Sequence, residues 1–164
     1  MGRLADRVAP ELLHVQRPFF ALHNANCYMA LTLAEHVGME LHGAALAQAL
    51  AAYAQNQRDF TQAEQWYRKS LAIKEKLGNE HGAAITYHQL GIIAQEQRDF
   101  GQAGQWLIRS IVIFLRYNDR YSLGIVVQSF RRCYAQAPPA VQDTLKTIWE
   151  GAGLGSLPAQ NAQE

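Results

Sequence analysis

Residues 54–60 read Ala-Gln-Asn-Gln-Arg-Asp-Phe, and residues 94–100 read Ala-Gln-Glu-Gln-Arg-Asp-Phe. The two heptapeptides differ at one position and begin 40 residues apart. A fixed period of this length indicates an array of structural repeats, in which each unit buries its apolar face against its neighbours. The pair therefore predicts an array architecture, and such arrays usually act as binding surfaces.

The same period extends on both sides of the heptapeptides. It relates the identical pairs Ala44/Ala84, Leu50/Leu90, Ala63/Ala103, Trp66/Trp106, Ser70/Ser110 and Ile73/Ile113. Residues 41–80 and 81–120 are therefore predicted to be two strong repeats. Residues 1–40, in which Leu31–Gly38 imitates Leu71–Gly78, are predicted to be a degenerate repeat. We expect a single domain over 1–157, with a divergent repeat and cap at 121–157 and a flexible tail at 158–164.

Each strong repeat is predicted to contain two helices. The first has small or apolar residues at helical spacing near residues 43–57 and 83–97, and the second covers about 60–77 and 100–117. Asp59 and Asp99 are suited to N-cap the second helices. Gly78 and Asn118 are suited to the left-handed conformation that ends them. Since no strand-like alternation interrupts this pattern, the chain is predicted to be all-α.

These residues resemble the signature of the tetratricopeptide repeat family. The resemblance lies in Leu90-Gly91, Asp99-Phe100, Ala103, Trp106-Leu107 and Ser110-Ile111, and in the corresponding residues of the repeat before it. The 40-residue unit is similar to the long-repeat subclass, which includes kinesin light chains, although Ala54 and Ala94 stand where that family often has an aromatic residue. The resemblance implies an α-solenoid of stacked antiparallel helical hairpins in a right-handed superhelix.

The C-terminal part of the chain departs from the period. Pro138-Pro139 is expected to end the last first helix, since proline removes a backbone donor. Residues 140–150 then form an amphipathic pattern, with Val141, Leu145, Ile148 and Trp149 on one side. We interpret this segment as a C-terminal capping helix that covers the apolar edge of the final repeat. The alternative is a docking helix for a partner.

Composition excludes several classes of function. The formal charge is +1 and 18% of the residues are charged, so no strong field attracts nucleic acid. No apolar stretch has the length of a membrane span, and the first residues lack the apolar run of a signal peptide. Cys27 and Cys133 form no CxxC motif and are expected to be unpaired thiols of a reducing compartment. The chain is therefore expected to be cytoplasmic.

No motif in the sequence indicates catalysis. The six histidines form no HExxH motif and have no zinc-ligand spacing to a cysteine. Residues 151–155 (Gly-Ala-Gly-Leu-Gly) follow no strand and open no helix, as a phosphate-binding loop would. We therefore predict that the chain is not an enzyme and has no metal or cofactor.

The resemblance implies a peptide-binding groove lined by the first helix of each hairpin. Its outward positions, by periodicity, are Gln48, Ala52, Gln55, Asn56, His88, Gln89, Ile92, Gln95, Glu96, Gln128, Ser129, Arg132 and Gln136. This groove is predicted to be rich in amides and nearly neutral. Amides both donate and accept hydrogen bonds, which suits an extended peptide backbone or a polar helix face. The alternative is that these glutamines are only solvated helix surface.

A subclass of the family grips the C-terminal carboxylates of heat-shock chaperones with a Lys and an Asn at i,i+4. At that spacing this chain offers Gln48/Ala52, His88/Ile92 and Gln128/Arg132. Because only Arg132 is a permanent cation, we do not expect this chain to bind chaperone tails.

The leading functional hypothesis is a non-enzymatic scaffold that binds a peptide or helix of a partner protein in the groove. One alternative is a regulatory or sensor module of a larger bacterial signalling system. Another is self-assembly, with exposed ends of the array stacking into a homodimer.

Overall fold

The structure is a computed structural model that describes residues 26, 29–30, 32–34 and 38–157. From residue 40 onward it contains six helices, which confirms the all-α fold over these residues. They are α1 (Glu40–Asn56), α2 (Phe60–Lys76), α3 (Glu80–Glu96), α4 (Phe100–Arg116), α5 (Arg120–Gln136) and α6 (Pro139–Gly151). The first five have 17 residues each, and three residues separate each from the next. Successive helices therefore begin at intervals of 20 residues.

The four turns between these five helices share one conformation. Each has its middle residue at positive φ, namely Arg58 (59°), Gly78 (67°), Arg98 (65°) and Asn118 (53°). The next residue donates its N–H to a carbonyl in the last turn of the preceding helix, as Asn79 does to Lys74 at 2.9 Å. Gly78 and Asn118 confirm the predicted helix ends. The two arginines were not predicted, because arginine has no preference for this conformation.

The residue after each left-handed position caps the next helix. The side chains of Asp59, Asn79, Asp99 and Asp119 accept the backbone N–H three residues later at 2.9–3.0 Å. Asp59 and Asp99 were predicted caps. The cap at Asn79 explains why α3 begins at residue 80 instead of the predicted 83. Hydrogen bonds from Ser122, followed by one from His81, lower the pKa of Asp119 to about 2.

The core between the helices consists of aromatic and small residues. Trp66, Tyr67 and Trp106 are buried. Gly91 permits close packing of α3 on α4, since a Cβ there would lie 2.7 Å from the Leu107 side chain. Further pairs that obey the period are hydrogen-bonded alike: Ser70 Oγ donates to the Ala44 carbonyl, and Ser110 Oγ to the Ala84 carbonyl, both at 2.8 Å. Leu50 and Phe60 are only half-buried.

Helix α6 does not occupy the place that the period would give it. Pro138 stands where the earlier turns have a left-handed residue, but its φ is −58° because the pyrrolidine ring fixes it. The turn opens, and α6 packs mainly against α4. The Leu145 side chain lies against Gly104, where a Cβ would be 2.1 Å from Leu145 Cδ2. The Trp149 ring packs on the Phe130 ring in a tilted arrangement, with 5.0 Å between the ring centroids. The predicted helix is confirmed, and the surface that it covers belongs chiefly to α4.

The internal contacts of the chain divide it after Gly43. Before that point, Gly38 has φ 73° and Met39 donates its N–H to the Ala34 carbonyl at 2.8 Å, which is the same helix ending as at Gly78. Cys27, most of the predicted degenerate repeat at 1–40 and the predicted tail at 158–164 lie outside the described residues.

Candidate peptide-binding groove

The candidate groove is the row of outward positions on α1, α3 and α5, called here the groove face. Residues three, four and seven apart share one side of a helix, so His88, Ile92 and Gln95 lie together on α3, and Gln128, Arg132 and Gln136 on α5. Ala52, Asn56, Glu96, Gln128, Arg132 and Gln136 are exposed, and Gln48, Gln55, His88, Gln89 and Ile92 are half-buried. Gln95 and Ser129 are buried.

Two side-chain hydrogen bonds join α3 to α5 across the groove face. His88 Nε2 lies 2.9 Å from Ser129 Oγ, and Gln95 Nε2 donates to Gln136 Oε1 at 2.9 Å. Both pairs are 41 residues apart, so the two helices lie side by side in one register. Burial, followed by the charge of Arg132, lowers the pKa of His88. The imidazole is therefore neutral at pH 7 and acts as a hydrogen-bonding group.

On α1 the corresponding glutamines are held from behind by α2. The Tyr67 hydroxyl donates to Gln55 Oε1 at 2.9 Å. Lys74 Nζ donates to Gln48 Oε1 and, at 2.8 Å, to Thr86 Oγ1 of α3. Lys74 is buried, and that burial lowers its pKa. The groove face is therefore supported by side chains of a second helix.

At the junction of α1 with α3 the glutamines bond to α2, whereas at the junction of α3 with α5 the bonds run between α3 and α5. This difference follows from the residues at corresponding repeat positions of α2 and α4. Where α2 has Tyr67 and Lys74, α4 has Leu107 and Phe114 one period later. Neither leucine nor phenylalanine has a polar group, so α4 offers no donor to His88 or Gln95 from behind. These two residues pair with α5 instead.

Reasoning from first helices alone missed three residues of this site, namely Lys74, Ile85 and Ile125. Lys74 contributes a buried cation beside Gln48, and its contrast with Phe114 in the repeat was the available signal. Ile85 and Ile125 are 37% and 42% exposed and are one period apart, at the end of the groove face near the starts of α3 and α5. Apolar residues at outward repeat positions could have been recognised from the register.

A polar cavity of about 270 Å³ lies between the C-terminal ends of α3 and α5, and we call it the α3–α5 cavity. It is lined by Gln95, Glu96, Arg98, Arg132 and Gln136. With Lys74 beside Gln48, the cations at the groove face outnumber Glu96. Basic groups from α2 and from the α3–α4 turn thus add positive charge here. The neutrality of the groove as a whole stays a prediction.

The described part of the chain contains neither a candidate membrane span nor a candidate metal site. No helix in this part of the chain is both long and apolar enough to span a membrane. Within the same residues, no three His, Cys, Asp or Glu side chains come together as metal ligands would. Cys133 is buried and unpaired, and burial raises its pKa to about 11.

Comparison with known proteins agrees with the helical-hairpin architecture. The family model of the tetratricopeptide repeat matches residues 41–115. The fold is similar to the crystal structure of BtubC (BKLC) from P. vanneervenii, with a TM-score of 0.57 and 23% sequence identity. That similarity covers 84% of this chain and 59% of the other, so this chain spans well under two thirds of its length. Comparison with curated proteins gave no match.

Proposed function

Residues 41–115 of this chain belong to the tetratricopeptide repeat family, and from this premise we propose that the chain is a non-enzymatic scaffold. The repeats of that family are generally protein–protein interaction scaffolds. It binds an extended peptide or a helix of a partner protein along the groove face of α1, α3 and α5. Ala52, Ile92 and the glutamines beside them contact that segment.

The observation that carries this proposal is the pair of cross-helix bonds between α3 and α5. Because His88–Ser129 and Gln95–Gln136 hold the two helices in one register, their outward side chains keep fixed positions before a partner arrives. A pre-organised surface loses little conformational entropy on binding. The exposed Ile85 and Ile125 supply apolar contact area next to these polar groups.

The test compares partner capture by two matched double variants, each of which replaces one alanine and one glutamine with glutamate. Ala52 on the groove face and Ala72 on α2 are both exposed helical alanines. Ala52→Glu combined with Gln128→Glu should lower the amount of partner captured from native lysate at least tenfold. Ala72→Glu combined with Gln105→Glu, which changes exposed residues of α2 and α4, should leave capture unchanged. Equal capture by both double variants would place the interface elsewhere and refute the proposal.

A second candidate, self-association, is favoured by the apolar side chains exposed around the α4–α5 turn. Leu115, Tyr117 and Tyr121 are 47%, 48% and 82% exposed. Under this reading the chain forms a homodimer whose interface includes Tyr121. Light scattering at increasing concentration tests it, since a dimer that Tyr121→Lys converts to a monomer supports self-association. A strict monomer at all concentrations contradicts it.

A further inference from the structure

Resting on the proposed scaffold function, we propose that the α3–α5 cavity binds one acidic side chain of the partner segment. Its carboxylate is held by Arg98 and Arg132, and the backbone N–H of the same segment is accepted by Gln95. The partner is thus a segment that presents an aspartate or glutamate at this point of the groove face.

The first support is an unpaired polar atom at a buried position. Gln95 is 8% exposed, and its Oε1 has no hydrogen-bond partner among the described residues. The equivalent atom one period earlier, Gln55 Oε1, accepts the Tyr67 hydroxyl. Leu107 replaces that tyrosine on α4 and cannot donate. Buried polar atoms are rarely left without a partner, so a ligand donor at this position would satisfy one that the protein itself does not.

The assignment of the amide does not alter this conclusion. Gln95 Nε2 donates to Gln136 Oε1. Turning over the amides of both residues would keep a bond between them and leave the Gln95 nitrogen unpaired instead of its oxygen. A peptide group offers both a donor and an acceptor, so it complements either orientation. Gln136 is exposed, so a bound peptide can displace its side chain and open the path from the cavity to Gln95.

The second support is the charge of the cavity lining. Arg98 and Arg132 are exposed, and within the described residues neither guanidinium forms an ion pair. Arg98 lies over the Phe100 ring at 5.5 Å, which restricts its side chain. Glu96 is the one carboxylate among the lining residues, so the lining has a net charge of +1. That net charge accommodates one carboxylate. It disfavours an acidic C-terminal residue, which has both a side-chain carboxylate and an α-carboxylate.

The preceding α1–α3 junction supplies an internal comparison. Counting back 40 residues, Arg98 corresponds to Arg58, but Arg132 corresponds to Ile92 and Gln136 to Glu96. That junction therefore has one guanidinium and one carboxylate, and its glutamine is already satisfied by Tyr67. The features that select a carboxylate occur together only in the α3–α5 cavity among these two junctions.

The direct test is an NMR titration with two short peptides, acetyl-Ala-Asp-Ala-amide and acetyl-Ala-Asn-Ala-amide. Under the proposal the Asp peptide shifts the side-chain amide signals of Gln95 and Gln136 and the Nε–H signal of Arg98. It should bind about tenfold more tightly than the Asn peptide, since hydrogen bonds to a charged group are roughly twice as strong as neutral ones. Equal affinities would overturn the assignment. A third peptide, acetyl-Ala-Ala with a free carboxylate, identifies a C-terminal source: tighter binding than the Asp peptide contradicts an acidic side chain.

Two substitutions should change the affinity for the Asp peptide in opposite directions. Arg98→Gln should weaken it about tenfold, and Glu96→Gln should strengthen it by removing a like charge. Arg58→Gln is the matched control for the first, because it occupies the same turn position at similar φ (59° against 65°) and lies outside the cavity. The proposal fails if Arg98→Gln and Arg58→Gln have the same effect, or if Glu96→Gln weakens binding.

These results separate the cavity from the scaffold function. If partner capture depends on Ala52 and Gln128 but the Asp and Asn peptides bind alike, the groove binds its partner without an acidic contact and only the cavity assignment is wrong. If the Asp peptide binds at Gln95 while both groove and control variants capture the partner equally, the cavity assignment stands as a carboxylate site and the groove proposal fails.

Discussion

Positions 74 and 114 occupy the same place in successive repeats, yet one holds an ammonium group and the other a phenyl ring. Both side chains are buried, at 7% and 1% exposure. Phe114 contributes apolar packing, whereas Lys74 donates hydrogen bonds to the neutral oxygens of Gln48 and Thr86. Burying a charge against neutral partners is unfavourable, so we interpret Lys74 as orienting the groove face at some cost to stability.

We expect Lys74→Met to leave the free energy of unfolding at pH 7 unchanged or to raise it by about 1 kcal/mol, since apolar replacements of buried charges are often stabilising. Burial lowers the pKa of Lys74, so between its folded pKa and about 10.4 the unfolded chain binds more protons than the folded one. The free energy of unfolding of the wild type therefore rises with pH across that window. The difference in stability between Lys74→Met and the wild type becomes smaller.

Urea unfolding at about pH 7 and about pH 10 measures this difference, on the same linkage argument. Lys146→Met, which changes an exposed lysine of α6, is the control and should show no such convergence. An advantage of Lys74→Met that grew as the pH rose would contradict the assignment of a lowered pKa.

The two glutamines at positions 55 and 95 should respond differently to the same substitution. Gln55→Met leaves the buried Tyr67 hydroxyl without its acceptor and should lower the free energy of unfolding by about 1–2 kcal/mol. Gln95→Met removes an unpaired oxygen together with a bond to the exposed Gln136, so its effect should stay within about 0.5 kcal/mol. Thermal unfolding of both variants gives the comparison, and a larger loss at Gln95 than at Gln55 would be inconsistent with an unpaired Oε1.

At the scale of elements, the position of α6 depends on changes in α4. The preceding repeat has an exposed Arg68 paired with Glu64 at 2.8 Å on the outer side of α2. One period later these positions are Ile108 and Gly104, of which Ile108 is buried and Gly104 lies under Leu145. An ion pair on a solvated face has been replaced by an apolar site for a covering helix.

We expect Gly104→Ala to lower the free energy of unfolding by about 1–3 kcal/mol, because its Cβ would overlap Leu145 and force α6 outward. The control is Gly124→Ala in α5, where a Cβ meets nothing within 4 Å. That variant should raise stability by about 0.5–1 kcal/mol through helix propensity alone. Chemical unfolding of both variants checks the pair, and stabilisation by both would show that Leu145 does not pack on Gly104.

At the scale of the molecule, the contacts from α3 to α6 are mostly between neighbouring helices. Stability in such arrays is approximately a sum over units and their interfaces, so damage at one end should be felt most strongly nearby. The C-terminal end is closed by the contact of Trp149 with Phe130 and of Leu145 with Gly104. Helices α4 and α5 therefore depend on α6 more directly than α2 does.

Deletion of residues 138–164 should consequently increase amide hydrogen exchange in α5 and α4 more than in α2, since it uncovers Phe130 and Gly104. Hydrogen exchange measured by mass spectrometry on the deleted and full chains resolves the helices separately. An equal increase in every helix would show that the chain opens as one cooperative unit, contrary to this expectation.

Much of this fold could be predicted from local patterns. The 40-residue period, the capping residues Asp59 and Asp99 and the left-handed Gly78 each reflect a preference of a few neighbouring residues. Arg58 and Arg98 adopt the same left-handed turn without any such preference, so the type of residue at these positions does not account for it. The displacement of α6 likewise depends on Gly104, a residue 35 positions before Pro139.

The candidate site was less predictable for the same reason. Helix register sufficed to put Gln48, His88 and Gln95 on one face, because register is a property of single helices. The partners of these residues depend on other helices. Lys74 reaches Gln48 from α2, and Leu107 of α4 has no hydroxyl to donate to Gln95. Such relations appear only when corresponding positions of neighbouring repeats are compared side by side.

The 20-residue spacing of the first five helices restricts how the gene for this protein can change in length. Inserting or removing a single residue within a helix rotates everything after it by about 100° and would turn core side chains outward. A duplication of forty codons, by contrast, adds one complete hairpin, and every later side chain keeps its orientation relative to the core. Lineages of this array should therefore differ by whole hairpins, with shorter length changes confined to the segment after Gln136, where the spacing is already broken.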